Sequence, residues 1–189
     1  MTLKEFRLIR TSVSHPLRIA TLPIGHHGGA VGVTFAPGKR QSKAMTGIWE
    51  RDLDLDLQAI REWGASDLIT LLEPWELQEL CITGLSERAH AFGLGWHGLP
   101  ITDGAAPDER FLQPWRRLGP ILGSGLRSGR RVVVHCKGGL GRAGTVACLL
   151  LLEGGEAVDA DDAMRQVRAV RRGAIETAEQ ENFLRSWSF

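Results

Sequence analysis

A cysteine and an arginine separated by five residues, three of them glycine, carry the chemistry that this 189-residue sequence suggests. They are Cys136 and Arg142, set in residues 131–145, RVVVHCKGGLGRAGT. The β-branched run Val132, Val133 and Val134 reads as a buried strand, and the Ala- and Leu-rich segment after Arg142 reads as a helix. A glycine loop between a strand and a helix can turn several backbone N–H groups inward. It also receives the positive end of the helix dipole. The result is a cradle for an oxyanion, with a thiol at one end and a guanidinium at the other. Thiols in such surroundings titrate at roughly 3.5–7.5 instead of near ~8.5, which favours the nucleophilic thiolate. Arg142 is expected to hold two equatorial oxygens of a tetrahedral oxyanion with its planar fork. Glycines 138, 139, 141 and 144 are expected to let the chain wrap the ligand and tolerate φ > 0. Lys137, Gly138, Gly139, Leu140 and Gly141 would then line the phosphate.

The pattern His135-Cys136-(five residues)-Arg142, with its strand before and helix after, resembles the signature loop of the cysteine-dependent protein phosphatases of dual-specificity type. The likeness to the kinase-associated group within them extends over roughly residues 17–187. It rests on Ala20-Thr21-Leu22-Pro23, residues 99–108 (LPITDGAAPD), Gly138 to Arg142, and Gly173-Ala174-Ile175 with Thr177 and Gln180. The resemblance implies an α/β fold with a central, mostly parallel sheet flanked by helices on both faces. It implies a phosphocysteine intermediate on Cys136, no cofactor and no metal. His135 would order the loop by hydrogen bonding without acting as a base. Gln180 would position a water molecule. The partner would be a phosphorylated protein or a small phosphoester.

Cleaving a phosphate ester with a thiolate needs an acid for the leaving oxygen. Asp103 and Asp108 both qualify by position. The resemblance assigns the role to Asp103, and Asp108 reads better as the acid at a helix N-terminus. Both could also do no more than cap turns. Three departures from the family pattern stand out. Ala143 occupies the place of a Ser or Thr that helps the thiolate leave, with Thr145 as a substitute. Glu176 replaces a water-positioning Gln. Leu140 stands where phosphoinositide-cleaving relatives carry a second lysine, so Lys137 alone gives weak support for a lipid substrate. Ala143 and Glu176 motivate the alternative of a low-turnover module that binds phospho-residues. A sulfurtransferase would also use a loop thiolate, but it leaves Asp103 without a job.

Other motifs fail on their own terms. Residues 139–144 form GxGxxG, but too near the C-terminus for the remaining units of a dinucleotide fold. Gly38-Lys39 is followed by Arg40 instead of the Ser or Thr of a nucleotide P-loop. His26 and His27 have no ligand-spaced partners for a metal. Asp52, Asp54 and Asp56 lack the glycine and final acid of a calcium loop.

The net charge of +1, with 43% hydrophobic and 24% charged residues, describes an ordinary soluble domain. It gives no footprint for nucleic acid or a membrane surface. Three cysteines (Cys81, Cys136, Cys148) without paired spacing suggest a reducing compartment. The N-terminus has no apolar signal region, so a cytoplasmic location is expected, and the length suits one domain over 1–189, expected as a monomer. Cys148 reads as core, and no spacing supports Cys81 as a resolving thiol.

The elements that must position this chemistry follow from periodicity. Residues 1–15 read as an arm or edge strand, 17–24 as a strand and 32–47 as a long polar loop. That loop, with Lys39, Arg40 and Lys43, reads either as a basic rim near the site or, better, as plain surface. Helices are expected at 49–64, 74–80, 84–92, 107–129, 142–153, 160–172 and 176–187. Strands are expected at 67–72 and 95–101.

Overall fold

The computed structural model describes residues 9–44 and 47–188. The strands β1 (Ile9–Arg10), β2 (Ala20–Ile24), β3 (Gly29–Phe35), β4 (Arg40–Ala44) and β5 (Gly47–Glu50) precede the first helix, α1 (Leu53–Glu62). Next come β6 (Asp67–Thr70), α2 (Pro74–Glu79), α3 (Leu85–Ala91) and β7 (Gly95–Gly98). The long helix α4 (Glu109–Arg127) leads to β8 (Arg131–Cys136), followed by α5 (Gly141–Gly154), α6 (Ala160–Val170) and α7 (Ala178–Ser186).

Strand β8 lies at the middle of a five-stranded sheet of order β2-β3-β8-β6-β7. It runs parallel to β3 and β6, β6 runs parallel to β7, and only β2 is antiparallel to its neighbour. Alternation along β8 sends its side chains into two different cores. Val132, Val134 and Cys136 face α4, α5, α6 and α7, where Phe111, Trp115, Val146, Met164 and Leu184 pack. Val133 faces the other way, toward α1 and α3, with Leu57, Ile60 and Leu85. Each such buried side chain contributes about 1.5–3 kcal/mol. The expected mostly parallel sheet with helices on both faces is what this chain forms.

Helix α5 is buried along almost its whole length, which explains its unbroken Val-Ala-Cys-Leu-Leu-Leu-Leu run. Cys148 lies within it, and burial pushes its thiol up to about 12. It is a core residue, as expected.

The region before α1 departs from expectation. Residues 29–35 form β3, an interior strand of the main sheet, and 40–44 form β4, so strands occupy much of the 32–47 stretch expected as a polar loop. Gly32 lies inside that strand, where its job is close packing. A Cβ there would meet Ile19 at 2.5 Å and Val133 and Trp63 at 3.0 Å. The expected helix over 49–64 starts only at Leu53, because Asp52 caps it by accepting from the Leu55 N–H. Residues 47–50 instead belong to a second, three-stranded sheet of order β1-β5-β4. Part of the expected N-terminal arm is the edge strand β1, and residues 1–8 lie outside the described residues.

Candidate active site

Strand β8 ends at Cys136, and α5 begins five residues later, so the central strand delivers the thiol to the mouth of a helix. The loop between them is tight. Gly139 takes φ +70°, and a Cβ there would meet the Thr34 carbonyl at 2.5 Å, so only glycine fits. That conformation turns the Gly139 N–H onto the Cys136 sulfur at 3.2 Å. Gly138, Gly141 and Gly144 do not have positive φ. Gly141 and Gly144 are required for close approach instead. A Cβ at Gly141 would meet Glu176 Oε2 at 2.6 Å, and one at Gly144 would meet the Ala174 Cβ at 2.9 Å.

His135 is fully buried and bonds Thr70 Oγ1 through Nε2 at 2.8 Å. Trp96 Nε1 donates to the same hydroxyl at 2.9 Å. Burial pushes the imidazole down to about 3, so it stays neutral and ties β8 to β6.

Arg142 is 1% exposed and sits in the first turn of α5. Its two terminal nitrogens grip Glu76, Nη1 to Oε2 at 2.6 Å and Nη2 to Oε1 at 2.9 Å. Nη1 also donates to the Ile101 carbonyl at 3.0 Å. Burial disfavours the guanidinium, but the bonds to Glu76 outweigh it and raise its pKa. Glu76 is itself fixed by a capping box at the start of α2, where it accepts from the Glu73 N–H at 2.9 Å. The double edge of the fork is therefore committed to Glu76. The Nε–Nη2 edge remains for an oxyanion, since Nε has no partner among the described residues.

Asp103 pairs with the same guanidinium, its Oδ1 2.9 Å from Arg142 Nη2, with a side chain 67% exposed. Asp108 has a different task. It caps α4 and pairs with Arg110, which reaches on to Glu73 at 2.8 Å and to Thr102 Oγ1 at 2.8 Å. This network braces the loop that carries Asp103.

Gln180 is buried, and its amide is occupied. Its Oε1 accepts from the Glu176 N–H at 2.9 Å and its Nε2 donates to the Ala105 carbonyl at 3.3 Å. It thus links α7 to the segment just after Asp103 while lying against Gly141. Three expectations need correction here. The Gly141 N–H is already donated to Glu176 Oε2 at 2.8 Å, so that amide does not face an empty cradle. Thr145 cannot replace the hydroxyl missing at Ala143, because its Oγ1 donates to the Gly141 carbonyl at 2.9 Å. Lys137 also points away, pairing with Glu79 at 2.7 Å.

Three contributors had no readable signal in the sequence beyond their charge. Glu76 holds Arg142. Arg171, at the end of α6, donates to the outward carbonyls of Gly139 at 2.9 Å and Gly138 at 3.0 Å. Lys39 donates to the Lys137 carbonyl at 3.3 Å. All three reach the loop from distant positions in the chain. Among the described residues no cluster of His, Cys, Asp and Glu could hold a metal ion, and no helix is long and apolar enough to cross a membrane.

Comparison with known proteins agrees with this geometry. Cyclin-dependent kinase inhibitor 3 of Sus scrofa is 29% identical over 172 residues, covering 89% of this chain and 77% of that protein. A probable protein tyrosine phosphatase type IVA A of Dictyostelium discoideum is 29% identical over 126 residues, 66% of this chain and 68% of that one. Among solved structures, kinase associated phosphatase with its catalytic-site cysteine substituted by serine matches with a TM-score of 0.76 at 26% identity. That match covers 89% of this chain and 92% of that one. Residues 56–184 match the model of the Swiss Army Knife DSP-PTPase phosphatase domain, PTP-SAK. That segment runs from inside α1 into α7 and includes the whole Cys136–Arg142 loop, so the chain belongs to this family of dual-specificity-type phosphatase domains.

Proposed function

We propose that this chain is a single-domain, monomeric phosphatase that hydrolyses phosphate monoesters of tyrosine, serine or threonine on proteins through a phosphocysteine at Cys136. What supports the reading is the set gathered at the end of the central strand: Cys136, whose sulfur receives the Gly139 N–H, and Arg142 in the first turn of the following helix, whose Nε has no partner among the described residues. Cys136 attacks phosphorus as the thiolate while Arg142 and the loop N–H groups hold the equatorial oxygens. The phosphorus–oxygen ester bond breaks, and Asp103 gives its proton to the leaving oxygen. Water then attacks the phosphocysteine, Asp103 takes the proton from it, and sulfur leaves as the thiolate with release of inorganic phosphate.

For this, Asp103 must swing off Arg142, and its exposure makes that movement inexpensive. Gln180 acts as a positioning residue, holding the Asp103 segment through Ala105. The free thiols of Cys81, Cys136 and Cys148 suit a reducing, cytoplasmic setting.

A panel of phosphotyrosine, phosphothreonine and phosphoserine peptides, with a phosphoinositide series, tests the substrate class. Turnover of the peptides above the lipids is expected. Lipid turnover exceeding peptide turnover would contradict the assignment. The missing hydroxyl at Ala143 and the committed Thr145 favour one second reading, slow release of the phosphoenzyme. A pre-steady-state burst of alcohol or phenol identifies it.

A further inference from the structure

Lys39 is a lysine that the fold buries without giving it a carboxylate partner among the described residues. It is 6% exposed, and among the described residues no carboxylate pairs with it. Its ammonium lies over the Trp49 ring at 4.2 Å and the Phe35 ring at 4.8 Å, and its hydrogen bond goes to the Lys137 carbonyl. Phe35 is the register partner of Cys136 across β3 and β8, so this aromatic cage stands beside the nucleophile.

The backbone around Lys39 is held on every side. Gly38 donates to Asp56 at 2.8 Å, Arg40 donates to the Leu80 carbonyl at 3.0 Å, and the Lys39 carbonyl accepts from Arg51 at 3.2 Å. Asp56 is not available as a counter-ion, because Arg51 takes both of its oxygens. A buried charge without a partner is costly, so a site that keeps one has a use for it.

We propose that Lys39 is a positioning residue of the phosphate cradle. It pulls the Lys137 carbonyl outward, which leaves the Gly139 N–H turned in on the Cys136 sulfur, and its charge, which no carboxylate meets among the described residues, adds to that of Arg142 when a dianionic phosphate occupies the loop. Arg171 does the same for Gly138 and Gly139 from the opposite side. The inference rests on the phosphatase reading only in that the ligand is a tetrahedral oxyanion.

The surroundings make this device sensitive to pH. Burial first, and then the Arg51 guanidinium, push the Lys39 ammonium down to about 8. Lys137 and Arg171 act in the same direction, and Cys136 opposes them. Lys39 is therefore charged below about pH 8 and loses its charge as the pH rises through it. His135, held neutral, and the guanidinium of Arg142 do not change over that range.

The test is tungstate binding to the Cys136→Ser chain by calorimetry, between pH 6.5 and 9.5. Tungstate is a dianion throughout, and the serine removes the titration of the thiol. At pH 6.5, Lys39→Met is expected to weaken binding about tenfold. As the pH rises, affinity of the Lys39 protein is expected to fall toward the Lys39→Met value. Lys39→Arg, which keeps its charge, is expected to bind as well at pH 9.5 as at 6.5. Equal affinity with and without Lys39, or an alkaline loss that persists in Lys39→Met, would overturn the proposal. Should Lys39→Met fail to fold, the pH series on Lys39 and Lys39→Arg still decides. Binding is read without turnover. A chain that binds tungstate in this way yet hydrolyses no phosphoester sinks the proposed function alone, and one that hydrolyses phosphoesters with no Lys39 effect sinks this inference alone.

Discussion

Arg51 and Arg142 are both buried, and each grips a buried carboxylate with two hydrogen bonds, yet they are finished to different degrees. Arg51 spends every nitrogen: Nε and Nη2 on Asp56 at 2.7 Å each, and Nη1 on the His15 carbonyl at 2.7 Å. Arg142 spends Nη1 and Nη2 on Glu76, leaves Nε without a partner, and shares Nη2 with an aspartate that is mostly in solvent. A saturated buried arginine is a fastener. One with an open edge, beside a thiol and a displaceable carboxylate, is prepared for a ligand. The same residue type in the same kind of ion pair is thus assigned to structure or to chemistry by its remaining donors.

The comparison can be broken by exchanging its parts. The largest effect on turnover is expected at Arg142. Arg142→Met should lower kcat on an aryl phosphate by about 10³-fold, because a preorganised oxyanion donor is lost. It should also lower the melting temperature, because Glu76 is left buried without its counter-ion. Asp103→Asn should lower kcat by about 10²-fold while leaving phosphate affinity equal or tighter, since the Arg142 edge is freed of a competing charge. Loss of affinity in step with kcat would mean that Asp103 only braces the loop.

Arg51→Met sharpens the contrast. Breaking that pair should cost about 3–5 kcal/mol of stability in chemical denaturation, with kcat of the folded protein reduced less than about tenfold. A loss like that of Arg142→Met would erase the distinction between the two arginines. The smallest effect belongs to Asp108→Ala. It should cost about 1 kcal/mol from the lost cap of α4 and change kcat by less than about threefold.

The strand, loop and helix around Cys136 were readable because their information is local. Three β-branched residues, a glycine cluster and an apolar run mark β8, the loop and α5 without reference to the rest of the chain. Asp103 was separated from Asp108 by family resemblance and by the place of Asp108 at a helix start, and the structure gives the physical reason: Asp108 is consumed by Arg110 and a helix cap. The partners of the loop were not readable. Glu76, Lys39 and Arg171 lie 60, 97 and 35 positions from Cys136, in α2, in the turn between β3 and β4, and just after α6. Nothing local distinguishes them from surface charges. Strand β3 was missed for a related reason: what Gly32 does there is set by Ile19, Trp63 and Val133, which close on it only in the fold.

The central claim is that phosphorus becomes bonded to the sulfur of Cys136 during turnover. Rapid acid quench of the enzyme with an aryl phosphate, followed by peptide mass spectrometry, tests it directly. The account predicts a phosphoryl adduct on the peptide carrying Cys136, absent in Cys136→Ser, which should not turn over. An adduct on any other residue, or undiminished turnover by Cys136→Ser, would contradict it.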